Sequence, residues 1–163
     1  MQHIDWRWQR LEEFKATELY QMLALRQRVF VIEQRCIYLD ADGVDTLTEH
    51  LTGHDGEQLI GCLRLLPPHV KGPEAAIGRV AVARRYRRKG LGRELMRCAM
   101  QRLRVRYRDP AVHLAAQAHL VEFYAAFGFE AISDPYDDDG IPHVDMRRPA
   151  TRPTGRPANR KSR

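Results

Sequence analysis

The chain of 163 residues is 44% hydrophobic and 29% charged, which excludes a membrane-embedded or wholly disordered protein and fits one soluble globular domain. Its formal net charge is +6, but Pro149 to Arg163 holds five basic residues and no acid, and so all but one of the excess positive charges. A folded nucleic-acid-binding face, which would concentrate that charge on the domain itself, is not predicted.

The tail contains Arg152, Arg156, Arg160, Lys161 and Arg163 among Pro, Thr, Gly and Asn, with no apolar stripe. Residues 149–163 are therefore expected to form a basic, proline-containing disordered extension to a domain spanning 1–148. With no aromatic residue to stack bases, it offers at most weak RNA contact. At the other end, Met1-Gln-His-Ile-Asp-Trp-Arg-Trp lacks a basic segment followed by an apolar run, and no later stretch approaches the ~20 apolar residues of a membrane span. The expectation is a cytoplasmic protein without a membrane partner. Cys36, Cys62 and Cys98 are odd in number and widely spaced, which supports neither a disulfide framework nor a zinc site.

In chain order, Ile4 to Gln9 alternates as a strand with one buried face. Thr17 is placed to cap a helix carrying Leu19, Met22, Leu23, Val29 and Phe30 and running to about Glu33. Cys36 to Asp45 reads as a loop; its aspartates miss calcium-loop spacing, since Gly43 follows Asp42 directly and no glutamate closes the pattern. Glu49 to Gly53 and Gln58 to Leu66 form a hairpin around His54-Asp-Gly-Glu57, ended by Pro67-Pro68. Ile77 to Val82 is a buried strand. Arg84, Arg85, Arg87, Arg88 and Lys89 then lead into Gly90-Leu91-Gly92, and Leu91, Leu95, Ala99 and Leu103 recur every four residues, so a helix begins at the glycines. Val112 to Ala116 is a strand and His119 to Phe127 a helix stopped by Gly128. Phe129 to Ile132 and His143 to Arg147 are strands, with acidic Asp134 to Gly140 a loop between them. The alternation predicts a mixed α/β domain, its sheet covered by helices.

A basic, glycine-bearing helix start is an anion site: unpaired backbone N–H groups and the positive dipole end face outward, and glycine admits a phosphate closely. The spacing Arg87-x-x-Gly90-x-Gly92 lacks the lysine and hydroxyl residue of a Walker loop and the longer glycine pattern of a dinucleotide fold. It instead resembles the acetyl-CoA pyrophosphate loop of the GNAT N-acetyltransferases. Phe123-Tyr124-Ala-Ala-Phe-Gly128-Phe129 looks like the Phe-Tyr-x-x-x-Gly-Phe segment found late in that superfamily. Leu25-Arg26-x-x-Val29-Phe30-Val-Ile-Glu33-Gln34, Arg64-Leu-Leu-Pro-Pro68, Ala116-Gln-Ala-His119 and Asp139-Gly-Ile-Pro-His143 resemble the ElaA-like branch.

The resemblance implies the GNAT fold, a central, mixed and largely antiparallel sheet splayed at the cofactor site and flanked by helices, with acetyl-CoA as co-substrate and no metal. It implies that Val80, Ala81 and Val82 meet the pantetheine and that Arg87, Arg88, Lys89, Gly90, Leu91 and Gly92 hold the pyrophosphate. Gln117 stands where many relatives carry an asparagine in contact with the cofactor. Tyr124 falls on the tyrosine that protonates the departing thiolate. For the base that must neutralise an acceptor ammonium, Glu33 is the first candidate because it closes an apolar helix segment; pairing with an arginine such as Arg26 is the competing role. His50 and His119 are weaker candidates, and His143 is expected to brace a turn. Acidic groups near Asp40 to Asp45 and Asp134 to Asp139 favour a cationic amine, small molecule or peptide, attacking directly in a ternary complex by a monomer or homodimer. Two rivals stay open: a CoA-sensing regulator without turnover, and an RNA-guided acetyltransferase using the tail.

Overall fold

The computed structural model describes residues 3–151. Most of the expected tail lies outside the described residues. Strand β1 (Asp5–Arg10) pairs antiparallel with β2 (Glu49–Asp55), which pairs with β3 (Gln58–Leu66), which pairs with β4 (Ala75–Val82). β5 (Val112–Gln117) then runs parallel to β4, and β8 (Ile141–Arg148) returns antiparallel to β5, carrying the short β6 (Glu130–Ala131) and β7 (Tyr136–Asp138). The result is one eight-stranded mixed sheet in the order β1-β2-β3-β4-β5-β8-β6.

Alternation along β3 decides what covers each face, because successive side chains point to opposite sides. Leu63 and Leu65, with Leu51 and Ile77, pack under α2 (Leu91–Tyr107), whose Leu95, Met96, Ala99 and Leu103 are fully buried. Cys62 and Ala81 face the other way, against Met22 and Leu25 of α1 (Ala16–Arg26) and Val29 beyond it. In β1, Trp6 lies opposite Gly53; a Cβ there would meet its indole at 2.5 Å, so the glycine makes room for the ring. None of the helices among the described residues is long and apolar enough to cross a membrane.

Several local expectations change. Thr17 does not cap α1: Lys15 occupies that position, and the Glu18 carboxylate accepts its backbone N–H at 3.3 Å. The helix does reach Glu33, but Gln27–Glu33 is π-helical, with a bond such as Gln34 N to Val29 O at 3.3 Å spanning five residues. Such widened turns recur at functional sites. The helix expected from His119 shrinks to α3 (Val121–Ala125) after a 3₁₀ turn at Ala118–Leu120. The acidic loop contains β7, because Asp139 and Gly140, with φ of +52° and +83°, close a tight hairpin onto β8. The Asp-Gly pair was its sequence signal.

Two irregularities open the sheet where the site lies. β4 and β5 are in register only at Ala75↔Val112 and Ala76↔His113, after which they separate. β4 also bulges against β3, with the register shifting between Cys62 and Arg64 and Arg79 held at φ +53°.

Candidate active site

The glycine turn follows from its backbone. Arg88 and Gly90 take φ of +62° and +84°, and Gly90 is the left-handed N-cap from which α2 starts. Buried Leu91 anchors the turn to the core, and an added Cβ at Gly90 would have nothing within 4 Å, so the space before the helix end is open. This turn, Val80, Val82 and the ring of Phe123 line a groove of about 350 Å³. Open backbone N–H groups, surrounding arginines and a helix N-terminus fit a pyrophosphate, and the unpaired stretch of β4 beside it fits an extended pantetheine arm.

The individual side chains divide the work. Val80, Val82, Arg87, Arg88, Gly90, Leu91 and Gly92 all line the groove. Arg87, exposed at the surface, folds back along the turn, its Nε donating to the Val82 carbonyl at 2.9 Å and its guanidinium pairing with Glu33 at 2.7 Å. It therefore straps the turn to β4 and to the π-helix. Ala81 is buried against α1, so only its backbone can face the groove, and the Lys89 ammonium lies over the Tyr86 ring at 5.3 Å.

A second cavity, of about 560 Å³, occupies the gap between β4 and β5. The end of the π-helix, the Cys36 to Tyr38 segment and the β7–β8 hairpin wall it on the outer side. Gln117, expected at the cofactor, lines this cavity, opposite His143 in register. The groove and the cavity share Val80, Leu120 and Tyr124. Tyr124 is 7% exposed, its ring edge-on to Phe123 at 5.0 Å and to Phe129 at 6.3 Å. Burial pushes its hydroxyl up to about 12, so it remains a proton donor at neutral pH.

The acidic segment does not present free charge as expected. Arg26 bonds Asp40 at 2.8 Å and Asp45 at 2.7 Å; Arg64 bonds Asp42 at 2.7 Å and Asp45 at 3.1 Å. Arg79, raised by the bulge, reaches Asp40 at 2.7 Å and sits 5.6 Å from the Tyr38 ring. Three guanidinium groups thus neutralise three carboxylates, and hydrogen bonds from Arg64 hold Asp42 well below the usual carboxylate range. The net result is a rigid, electrically balanced wall.

The candidate bases separate as well. Glu33 is held by Arg87, beside the glycine turn, and is absent from the walls of the cavity that contains Tyr124. Arg26, the partner considered for it, belongs to the buried cluster. His50 is buried beside Thr48 and the Asp45 carbonyl, and burial pushes its pKa down; His119 is exposed. His113 and His143 do line the cavity. Their signal lay in the two-residue period of β5 and β8, which turns His113 and Gln117 of one strand and His143 of the other toward the gap. Among the described residues, no group of three His, Cys, Asp or Glu side chains could hold a metal ion.

A sheet parted beside a glycine-bearing helix start, with a buried phenol where groove and cavity meet, is the arrangement expected of an acyltransferase. Residues 44–149 match the acetyltransferase (GNAT) domain model, and the chain belongs to this family as a GNAT-type N-acetyltransferase. It is 44% identical over 144 residues to a UPF0039 protein of Synechocystis, covering 88% of this chain and 94% of that one. Identity to the ElaA protein of Escherichia coli is 37% over 147 residues, covering 89% and 96%. Among solved structures, an acyl-CoA N-acyltransferase from Pseudomonas aeruginosa is similar at TM-score 0.84 and 41% identity, covering 88% of this chain and 99% of that one. Escherichia coli ElaA also superposes at TM-score 0.84, with 36% identity and coverage of 90% and 99%.

The donor site gives a direct expectation. Gly90→Glu and Gly92→Glu should each weaken CoA binding roughly 100-fold, since about 3 kcal/mol of steric and like-charge opposition suffices. Only Gly90→Glu should also lose stability, by about 1–2 kcal/mol, because its φ of +84° disfavours any side chain. Calorimetry with CoA and thermal melts check both; unchanged affinity in the two variants would displace the pyrophosphate from this turn.

Proposed function

We propose that this enzyme moves an acetyl group from acetyl-CoA to the primary amine of a small molecule or peptide, by direct attack in a ternary complex. The observation that carries the reading is the meeting of the two cavities at Tyr124. A thioester lying along Val80 to Val82 and an amine entering between β4 and β5 approach that point from different sides, with no intervening nucleophile required. Cys36, the thiol lining the acceptor cavity, is within weak hydrogen-bonding reach of the Gln34 and Asp139 carbonyls, which favours a packing role over covalent catalysis.

In this scheme backbone groups of the unpaired β4 segment hold the pantetheine, the turn at Arg88 to Gly92 holds the pyrophosphate, and Arg87 with Glu33 fixes that turn. Tyr124 donates its proton to the sulfur as the carbon–sulfur bond breaks. Asp138 and Asp139 stand at the cavity wall outside the neutralised cluster, which supports a cationic acceptor. Three unpaired cysteines suit a reducing, cytosolic setting. The domain is taken to end with β8 at Arg148, leaving the basic segment as an appendage.

Acetyl-CoA consumption with a panel of amines tests this reading. Turnover is expected with diaminoalkanes or lysine-like peptides. Turnover confined to acidic acceptors would remove the charge argument, and CoA binding without turnover on any amine would favour a CoA-sensing protein.

A further inference from the structure

His143 lies on β8 opposite Gln117, lines the cavity that contains Tyr124, and keeps 14% of its side chain exposed. Its Nδ1 is 2.8 Å from the Ile141 carbonyl oxygen. A carbonyl can only accept, so Nδ1 carries hydrogen, and the lone pair of the neutral ring is on Nε2. With Nδ1 turned to its own strand, Nε2 is the ring nitrogen left for the cavity. The Tyr136 ring stacks on the imidazole at 6.3 Å and 30°, which fixes the plane of the ring.

Charged and polar groups from three elements face the ring. β7 supplies the Asp138 carboxylate, 4.0 Å from Nδ1, together with Tyr136, whose hydroxyl is already given to Asp145 at 2.9 Å. Asp139 follows in the hairpin turn, β5 contributes the uncharged Gln117, and Arg79 across the cavity is paired with Asp40. A lysine-like amine has a pKa of about 10.4 and arrives as ammonium, so a group on the acceptor side must take its proton before attack.

We propose, resting on the transfer reaction above, that His143 is that base and hence a catalytic residue for a cationic acceptor. Nε2 takes one ammonium proton and later releases it to solvent. The freed nitrogen lone pair attacks the acetyl carbon, the carbon–nitrogen bond forms and the carbon–sulfur bond breaks, and Tyr124 protonates the sulfur. The second proton leaving nitrogen restores the Tyr124 hydroxyl. Glu33, tied to Arg87, takes no part in these proton transfers.

A base is needed only when the acceptor is protonated, which separates chemistry from architecture. His143→Ala and His143→Gln should lower kcat with a diaminoalkane roughly 100-fold, the usual scale of general-base catalysis, with an unchanged CoA Kd. With hydroxylamine or aniline, neutral at the assay pH, the loss should be within about threefold. Added imidazole should restore part of the rate of His143→Ala and none of His143→Gln. Equal losses on basic and neutral amines, or no loss on either, overturn the assignment while leaving the transfer reaction standing. A wild-type enzyme that binds CoA but acetylates no amine removes the transfer reading and this inference with it. Should His143→Ala not fold, the same comparison is made with His143→Gln.

Discussion

Tyr124→Phe should reduce kcat by roughly 100-fold or more, the scale expected on losing a general acid, while CoA affinity changes by less than about threefold. The ring contacts with Phe123 and Phe129 survive the substitution, and Tyr124 lines both the groove and the cavity. The pH dependence follows from burial alone, which holds the phenol protonated up to about 12. An acid whose pKa is raised keeps its proton as pH rises, so Tyr124 should cause no fall in wild-type rate through the neutral and mildly alkaline range. Steady-state kinetics with isothermal titration of CoA check this. A variant with full kcat would mean the thiolate leaves unaided or is protonated by water.

Arg26→Ala should be the most destabilising single change, costing about 3–5 kcal/mol and, for a domain of this size, lowering Tm by about 10 °C. Arg26 is 1% exposed and bonds both Asp40 and Asp45, which would be left buried with less compensation. Burial by itself raises the pKa of Asp45, but hydrogen bonds and charge from Arg26 and Arg64 outweigh it and hold the group low. A depressed carboxylate stabilises the fold above its unfolded pKa of about 3.9, and that contribution is lost as pH falls through the folded value. The gap between wild type and Arg26→Ala should therefore narrow in acid. Urea denaturation at neutral pH and at about pH 2.5, below the unfolded carboxylate value, measures it. A loss below about 1 kcal/mol would mean that water replaces the guanidinium.

The cluster also shows why some of the site was illegible in the sequence. Asp40, Asp42 and Asp45 are close together in the chain and read as free acidity. Their partners Arg26, Arg64 and Arg79 come from a helix and two strands, and reach them only after the β4 bulge and the packing of α1 on the sheet. Glu33 likewise sits at the helix end where its pattern put it, yet the guanidinium that claims it comes from the far side of β4. His143 looked like a turn residue because the strand pairing that sets it across from Gln117 joins positions 26 residues apart.

Local chemistry settled much else. The four-residue period of Leu91, Leu95, Ala99 and Leu103 gave α2 its buried face, and the glycines gave its start. Those features depend on neighbours within one or two turns, where steric and hydrogen-bonding preferences act directly, so the residues by themselves determined the α/β class and the glycine turn that starts α2. The register of β4 with β5, which pairs at two positions and then parts, is not written in either strand. It is decided by the bulge, by α2 beneath and by β8 beyond, and that parting is what opens the cavity beside Tyr124.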